Sequence, residues 1–220
     1  MPTMNQKWML TLAVALVFGV GACSSQAPGT KPDDMSADEH LQHANKHEKM
    51  SEEHGDHYNP GAGTTRREAS LSGENDVFYP VEVYNPTEHH RDVATSHQRH
   101  AEQHRQAAQK LLSYEDNHCA RFPAETRSSC PLMGQIKAVE DIDGGVRMTF
   151  HDGVPLQATV DHMKCHFAVA RTEGYEGMPT CPLYLEGLSV ETADDGKSVT
   201  LTTDTAEAVE PLRKRARKHL

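Results

Sequence analysis

Histidine is the residue type that could do chemistry in this chain, which carries fifteen of them. Residues 89–104, HHRDVATSHQRHAEQH, hold five imidazoles in sixteen positions. If the stretch is helical, His90, His97 and His104 stand seven apart, and His100 falls between the last two. All four then share one narrow face, and neutral imidazoles four apart on a helix can chelate a divalent metal. His89 points away from that face. The same seam continues through Val93, Ala107 and Leu111, which supports a second reading: a packing seam that turns polar and stays solvated.

Two further groups have ligand chemistry. His40, His43, His47, His54 and His57 lie among carboxylates, and His40, His47 and His54 repeat the seven-residue rhythm. Imidazole with carboxylate suits Zn²⁺, Ni²⁺ or Cu²⁺. The third group is HMKCH at 162–166. Helical spacing puts His162, Cys165 and His166 opposite Leu156, Val160 and Phe167, so they are expected to face outward. A free Cys165 there could take a soft metal; a disulfide at Cys165 would leave only the His162/His166 pair.

Other chemistries lack their parts. No HExxH, GxSxG, phosphate-binding glycine loop or EF-hand pattern occurs, and no nucleophile or paired carboxylate is set to use the histidines. The chain is therefore expected not to be an enzyme. Without CxxC or CxxCH, neither a thioredoxin-like motif nor haem is expected, and no nucleotide. A net charge of −10 argues against nucleic acid as a partner. The basic cluster Arg213, Lys214, Arg215, Arg217 and Lys218 suits a terminal helix dipole.

The N-terminus reads as an address. Lys7 precedes an apolar run from Trp8 to Phe18, which is too short to span a bilayer and closes on Val20-Gly21-Ala22-Cys23. This resembles the lipobox of bacterial lipoproteins. The resemblance implies a signal peptide over 1–22, acylation of Cys23, and a chain anchored to a membrane rather than spanning it. Ser24 resembles an outer-membrane sorting signal, so the implied location is the cell envelope, on the outer membrane facing the periplasm, where a protein partner could be met.

Residues 23–75 are poor in large apolar groups, so a mostly disordered, His- and acid-rich tether is expected. Ser36-Ala37-Asp38-Glu39 has capping-box form, so one helix could run to about Glu53. The β-prone NDVFYPVEVYNP suggests an extended arm. Asn85-Pro86-Thr87-Glu88 starts a helix expected over 86–118.

An internal repeat follows, within a single domain expected over 76–220. Cys130 and Cys181 each open Cys-Pro-Leu, each followed by Val-Glu at the same offset and by an Asp-Gly turn between two β-prone runs. Each copy (130–174 and 181–220) then enters a helix. The expected fold is α+β: a long helix followed by a duplicated ββα unit, with a four-stranded antiparallel sheet and its helices on one face. Four cysteines remain after the leader, Cys119, Cys130, Cys165 and Cys181, and in an exported chain they read as disulfides. Treating both copies alike favours Cys119 with Cys130 and Cys165 with Cys181; a staple between copies is the alternative.

Overall fold

The computed structural model describes residues 26–65 and 83–220. The leader with Cys23 and most of the expected arm lie outside the described residues. The fold is α+β, with a four-stranded antiparallel sheet and helices.

Two long helices come first. Helix α1 spans Ala37–His57, and α2 spans Glu88–Cys119. A two-stranded ribbon, β1 (Thr64–Thr65) with β2 (Val83–Tyr84), lies between them in sequence. A short α3 (Ala124–Arg127) follows, then β3 (Ile136–Ile142), β4 (Gly145–Phe150) and α4 (Leu156–Thr172). The chain continues with β5 (Leu188–Thr192), β6 (Ser198–Thr203) and α5 (Ala206–Arg217). Among the described residues, no helix is long and apolar enough to cross a membrane.

The sheet order is β3-β4-β6-β5, so two hairpins join through their second strands, Met148 opposite Val199. Alternation sets one face. Val146, Met148 and Phe150 on β4 and Val199 and Leu201 on β6 are buried, while Arg147 points to the other side and pairs with Glu140. The buried face packs on Val160, Met163 and Phe167 of α4 and on Leu212 and Ala216 of α5. Gly145 sits where β4 meets β6, and a Cβ there would collide with the Leu201 carbonyl, so close pairing of the hairpins requires glycine. Pro211 is the sixth residue of α5, so its missing N–H removes the helical hydrogen bond to the Glu207 carbonyl.

Residues 37–57 depart from a loose tether. The Ser36–Glu39 capping box forms in both directions, and α1 packs along α2 for most of its length. The helix has few large apolar groups, so a count of apolar burial misses it. What it buries is Ala37, Ala44 and His40.

The chain enters α1 through a pinned turn. Asp33 accepts two hydrogen bonds from the Arg171 guanidinium, at 2.8 and 2.9 Å, and a third from the Tyr175 hydroxyl at 3.0 Å. Arg171 also lies over the Tyr114 ring, 4.6 Å from its centroid. Bidentate pairing fixes direction as well as distance, so the start of α1 is held against α4 and α2.

The cysteine pairing corrects the expectation. Cys119 is joined to Cys165, which ties the helix ahead of the repeat to the first copy, while Cys130 and Cys181 are free thiols. Local pairing fails because Cys119 ends α2 against the middle of α4, burying both sulfurs with Val169 and Phe122. The outward placement expected for Cys165 and His166 is also overturned: both are fully buried. Helix α4 is covered on two flanks, by the sheet and by α2 with α3, so its second face is interior too.

Peptide mapping without reductant is expected to find Cys119 linked to Cys165 and neither linked to Cys130 or Cys181. Cys119→Ala/Cys165→Ala should lose about 2–4 kcal/mol of unfolding free energy, read by denaturant titration.

Candidate metal centre

Helices α1 and α2 run antiparallel in a register that faces histidine with histidine. Each step of seven forward on α1 matches a step of seven back on α2. His40 meets His104 with Nδ1 atoms 3.0 Å apart, His47 meets His97 at 3.0 Å, and His54 meets His90 at 3.1 Å. Between these layers the register sets small residues at one level: buried Ala44 with buried Ala101, and Ser51 with Ala94, whose carbonyl accepts from the Ser51 hydroxyl at 2.9 Å. Small residues let the helices approach closely enough for imidazoles to touch across the seam.

More rings fill the upper half of this ladder. His100 stacks on His47 with centroids 4.0 Å apart and on His104 at 5.0 Å, while His43 lies 5.2 Å from His104. At the lower end, His57 sits 5.2 Å from His90. His89 is exposed at the margin, off the seam as its spacing indicates. Ligand nitrogens of His43, His47 and His104 all lie within 4.8 Å of one another, so this group could hold a metal ion.

Carbonyl contacts fix the tautomers at the top of the ladder. His40 Nε2 reaches the Pro32 carbonyl at 3.3 Å, and a carbonyl can only accept, so this nitrogen carries the proton. Neutral His40 then offers its bare Nδ1, and His104 Nδ1–H donates to it. His104 Nε2 is left with a lone pair beside His43, His47 and His100. Beside it, His100 Nε2 is buried and has no hydrogen-bond partner, the one such side-chain nitrogen or oxygen among the described residues. An orphaned buried nitrogen next to a bare lone pair is costly for a structure that only has to fold.

Burial, reinforced by His100, His40, His43 and His47, pushes the His104 pKa down to about 4. His47 and His90 are lowered for the same reasons, burial first and neighbouring imidazoles second. Charged groups stay on the rim: Lys46 beside His47, Glu48 paired with Arg105 at 2.5 Å, and Glu88 paired with Arg91. Burial thus favours the neutral form of His47, His90 and His104, the form that ligates metal.

The structure brings together nine histidines assigned from sequence to two separate segments: His40, His43, His47, His54 and His57 with His90, His97, His100 and His104. It does not add the HMKCH pair. His162 Nε2–H donates to the Thr126 carbonyl and its ring stacks on Phe122. His166 lies instead with Cys130 and Cys181 in a second group that could hold a metal ion. Sequence reading missed the facing of the two helices and the roles of Cys130, Cys181 and His219. The matched heptads with small residues four positions after a histidine were a signal for the facing; nothing local marks His219.

No protein-family model matches this sequence, and no curated protein or solved structure matches it.

The lowered values set a sign for acid. The folded state binds fewer protons than the unfolded chain between pH 6.5, the ordinary value, and about 4, the His104 value. Its contribution to stability is full above pH 6.5, falls as pH drops through that window, and falls no further below pH 4. Amide hydrogen exchange from pH 7.5 to 4.5 should therefore show protection lost first in residues 37–57 and 90–104, with the sheet retained. Equal protection of the ladder at both ends of the range would contradict this.

Proposed function

We propose that this protein is an envelope lipoprotein that binds or buffers divalent transition metals through the imidazole ladder between α1 and α2. The observation that carries the reading is the convergence of ligand nitrogens of His43, His47 and His104 within 4.8 Å of one another, with the unpartnered His100 nitrogen in the same stack of rings. Zn²⁺, Cu²⁺ and Ni²⁺ all accept neutral imidazole.

Buffering fits several weak-to-moderate sites in one column better than a single closed site does. The lipid anchor is the second part of the proposal and rests on the leader sequence. Cys23 stands four residues before Ala27, whose amide is tied to Gln103 on α2. An acyl anchor on Cys23 would hold the Gln103 end of the ladder within about 14 Å of the bilayer surface, the reach of four extended residues.

Isothermal titration of the purified chain with Cu²⁺, Ni²⁺ and Zn²⁺ at pH 7.5 tests the reading. Expected are more than one bound ion, Cu²⁺ bound most tightly, and a loss of about tenfold or more in affinity for His47→Ala and for His104→Ala. Binding no tighter than that of the urea-unfolded chain, or binding indifferent to both substitutions, leaves the ladder a pH-responsive helical seam without a metal role.

A further inference from the structure

A second cluster, built from different donors, lies where the two Cys-Pro-Leu loops meet α4 and the end of α5. The free thiols of Cys130 and Cys181 stand 3.7 Å apart. His166 Nε2 is 3.5 Å from the Cys181 sulfur, and His219 Nε2 is 3.6 Å from the Cys130 sulfur. Sulfurs and imidazole nitrogen of Cys130, Cys181 and His166 lie within 4.8 Å of one another. His166, Cys181 and His219 are buried, and Cys130 is half-buried.

The surroundings prepare these atoms for a cation. His166 Nδ1–H donates to the Arg127 carbonyl at 3.0 Å, which leaves Nε2 as a bare lone pair aimed at the sulfurs. Backbone amides of each loop favour the thiolate of its own cysteine: Leu132 and Met133 for Cys130, Leu183 and Tyr184 for Cys181. The proline after each cysteine has no N–H, so the turn presents the next two amides to the sulfur. Amides of this kind favour thiolate and orient it. The Arg215 guanidinium braces the second loop, donating to the Cys181 and Tyr184 carbonyls at 3.2 and 2.6 Å.

Three spacings, sulfur to sulfur and each sulfur to its own imidazole, match a known coordination geometry, while His219 stands outside the 4.8 Å group and has to close on it. A tetrahedral ion with bonds of about 2.3 Å to sulfur and about 2.05 Å to nitrogen places sulfurs about 3.8 Å apart and sulfur and nitrogen about 3.6 Å apart. Two thiolates, two neutral imidazoles and a divalent cation sum to zero charge, which a buried site tolerates.

We propose that Cys130, Cys181, His166 and His219 form a Cys2His2 site for a tetrahedral, thiophilic divalent cation, Zn²⁺ above all, separate from the imidazole ladder and independent of its function. Binding releases one proton from each thiol, leaves both imidazoles neutral and changes no oxidation state. The ion joins the loops ahead of β3 and β5 to α4 and the C-terminus. It therefore acts as a structural staple beside the Cys119–Cys165 disulfide.

Cobalt substitution of the full chain, purified metal-free with reductant, tests the site. One equivalent of Co²⁺ should give a sulfur-to-cobalt charge-transfer band and the intense visible bands of tetrahedral cobalt, both displaced by Zn²⁺. His47→Ala/His104→Ala should keep these bands, so failure of the ladder leaves this result standing. Cys130→Ser/Cys181→Ser should abolish them. His219→Ala, at the chain end and outside the sheet, should keep the sulfur band with affinity lowered about tenfold or more. Absence of the sulfur band, its survival in Cys130→Ser/Cys181→Ser, or a Cys130–Cys181 disulfide in protein prepared with Zn²⁺ and without reductant overturns the proposal.

Discussion

A short chain of hydrogen bonds links the folded domain to the histidine column, and most of the chemistry above depends on it. Arg171 and Tyr175 hold Asp33; the adjacent Pro32 carbonyl accepts from His40; His40 accepts from His104. Because a carbonyl cannot donate, each link fixes the proton of the next, and the chain ends in a lone pair on His104. Without it both rings could flip, and the top of the ladder would have no defined ligand face. A polar seam between helices holds only when its nitrogens have defined partners, and here the α+β domain supplies the first of them.

Helix α2 is the element the two regions share. Its first half meets α1 through imidazoles and small side chains. Its second half turns apolar at Ala107, Ala108 and Leu111, lies against α4, and ends in the Cys119–Cys165 bridge. Acid loosens the first half, because imidazoles that are buried neutral must charge, and leaves the second half fastened by sulfur and apolar packing. The two candidate centres divide donors in the same way. The ladder offers nitrogen alone, whereas the loop site offers sulfur with nitrogen, so they suit different ions in one small protein.

Much of this was legible residue by residue. Asp-Gly turns between β-prone runs gave both hairpins, and Ser36 with Glu39 marked the start of α1. The seven-residue spacing of His90, His97 and His104 marked the face of α2 that meets α1. Tether composition misled, because α1 has too few large apolar groups to look foldable, yet imidazole and alanine suffice when a matching helix faces it. The cysteines misled for another reason. Similarity between the two Cys-Pro-Leu copies suggested pairing within each copy, but the copies contribute one thiol each to a shared joint. Cys165 had its partner at the far end of α2.

By itself, then, the sequence determined which residues could ligate and at what periodicity, because side-chain type and helical spacing are local properties. It also determined the strand pairs, since turn chemistry acts over a few residues. Tertiary structure alone decided that two histidine helices meet in antiparallel register, that Cys119 bonds Cys165, and that His166 and His219 close on two thiols. Each of those contacts joins residues 36 to 89 positions apart, apart from His166 with Cys181, which lie 15 apart across a turn. Such contacts are set by how helices and loops pack on one core, and no local pattern encodes that.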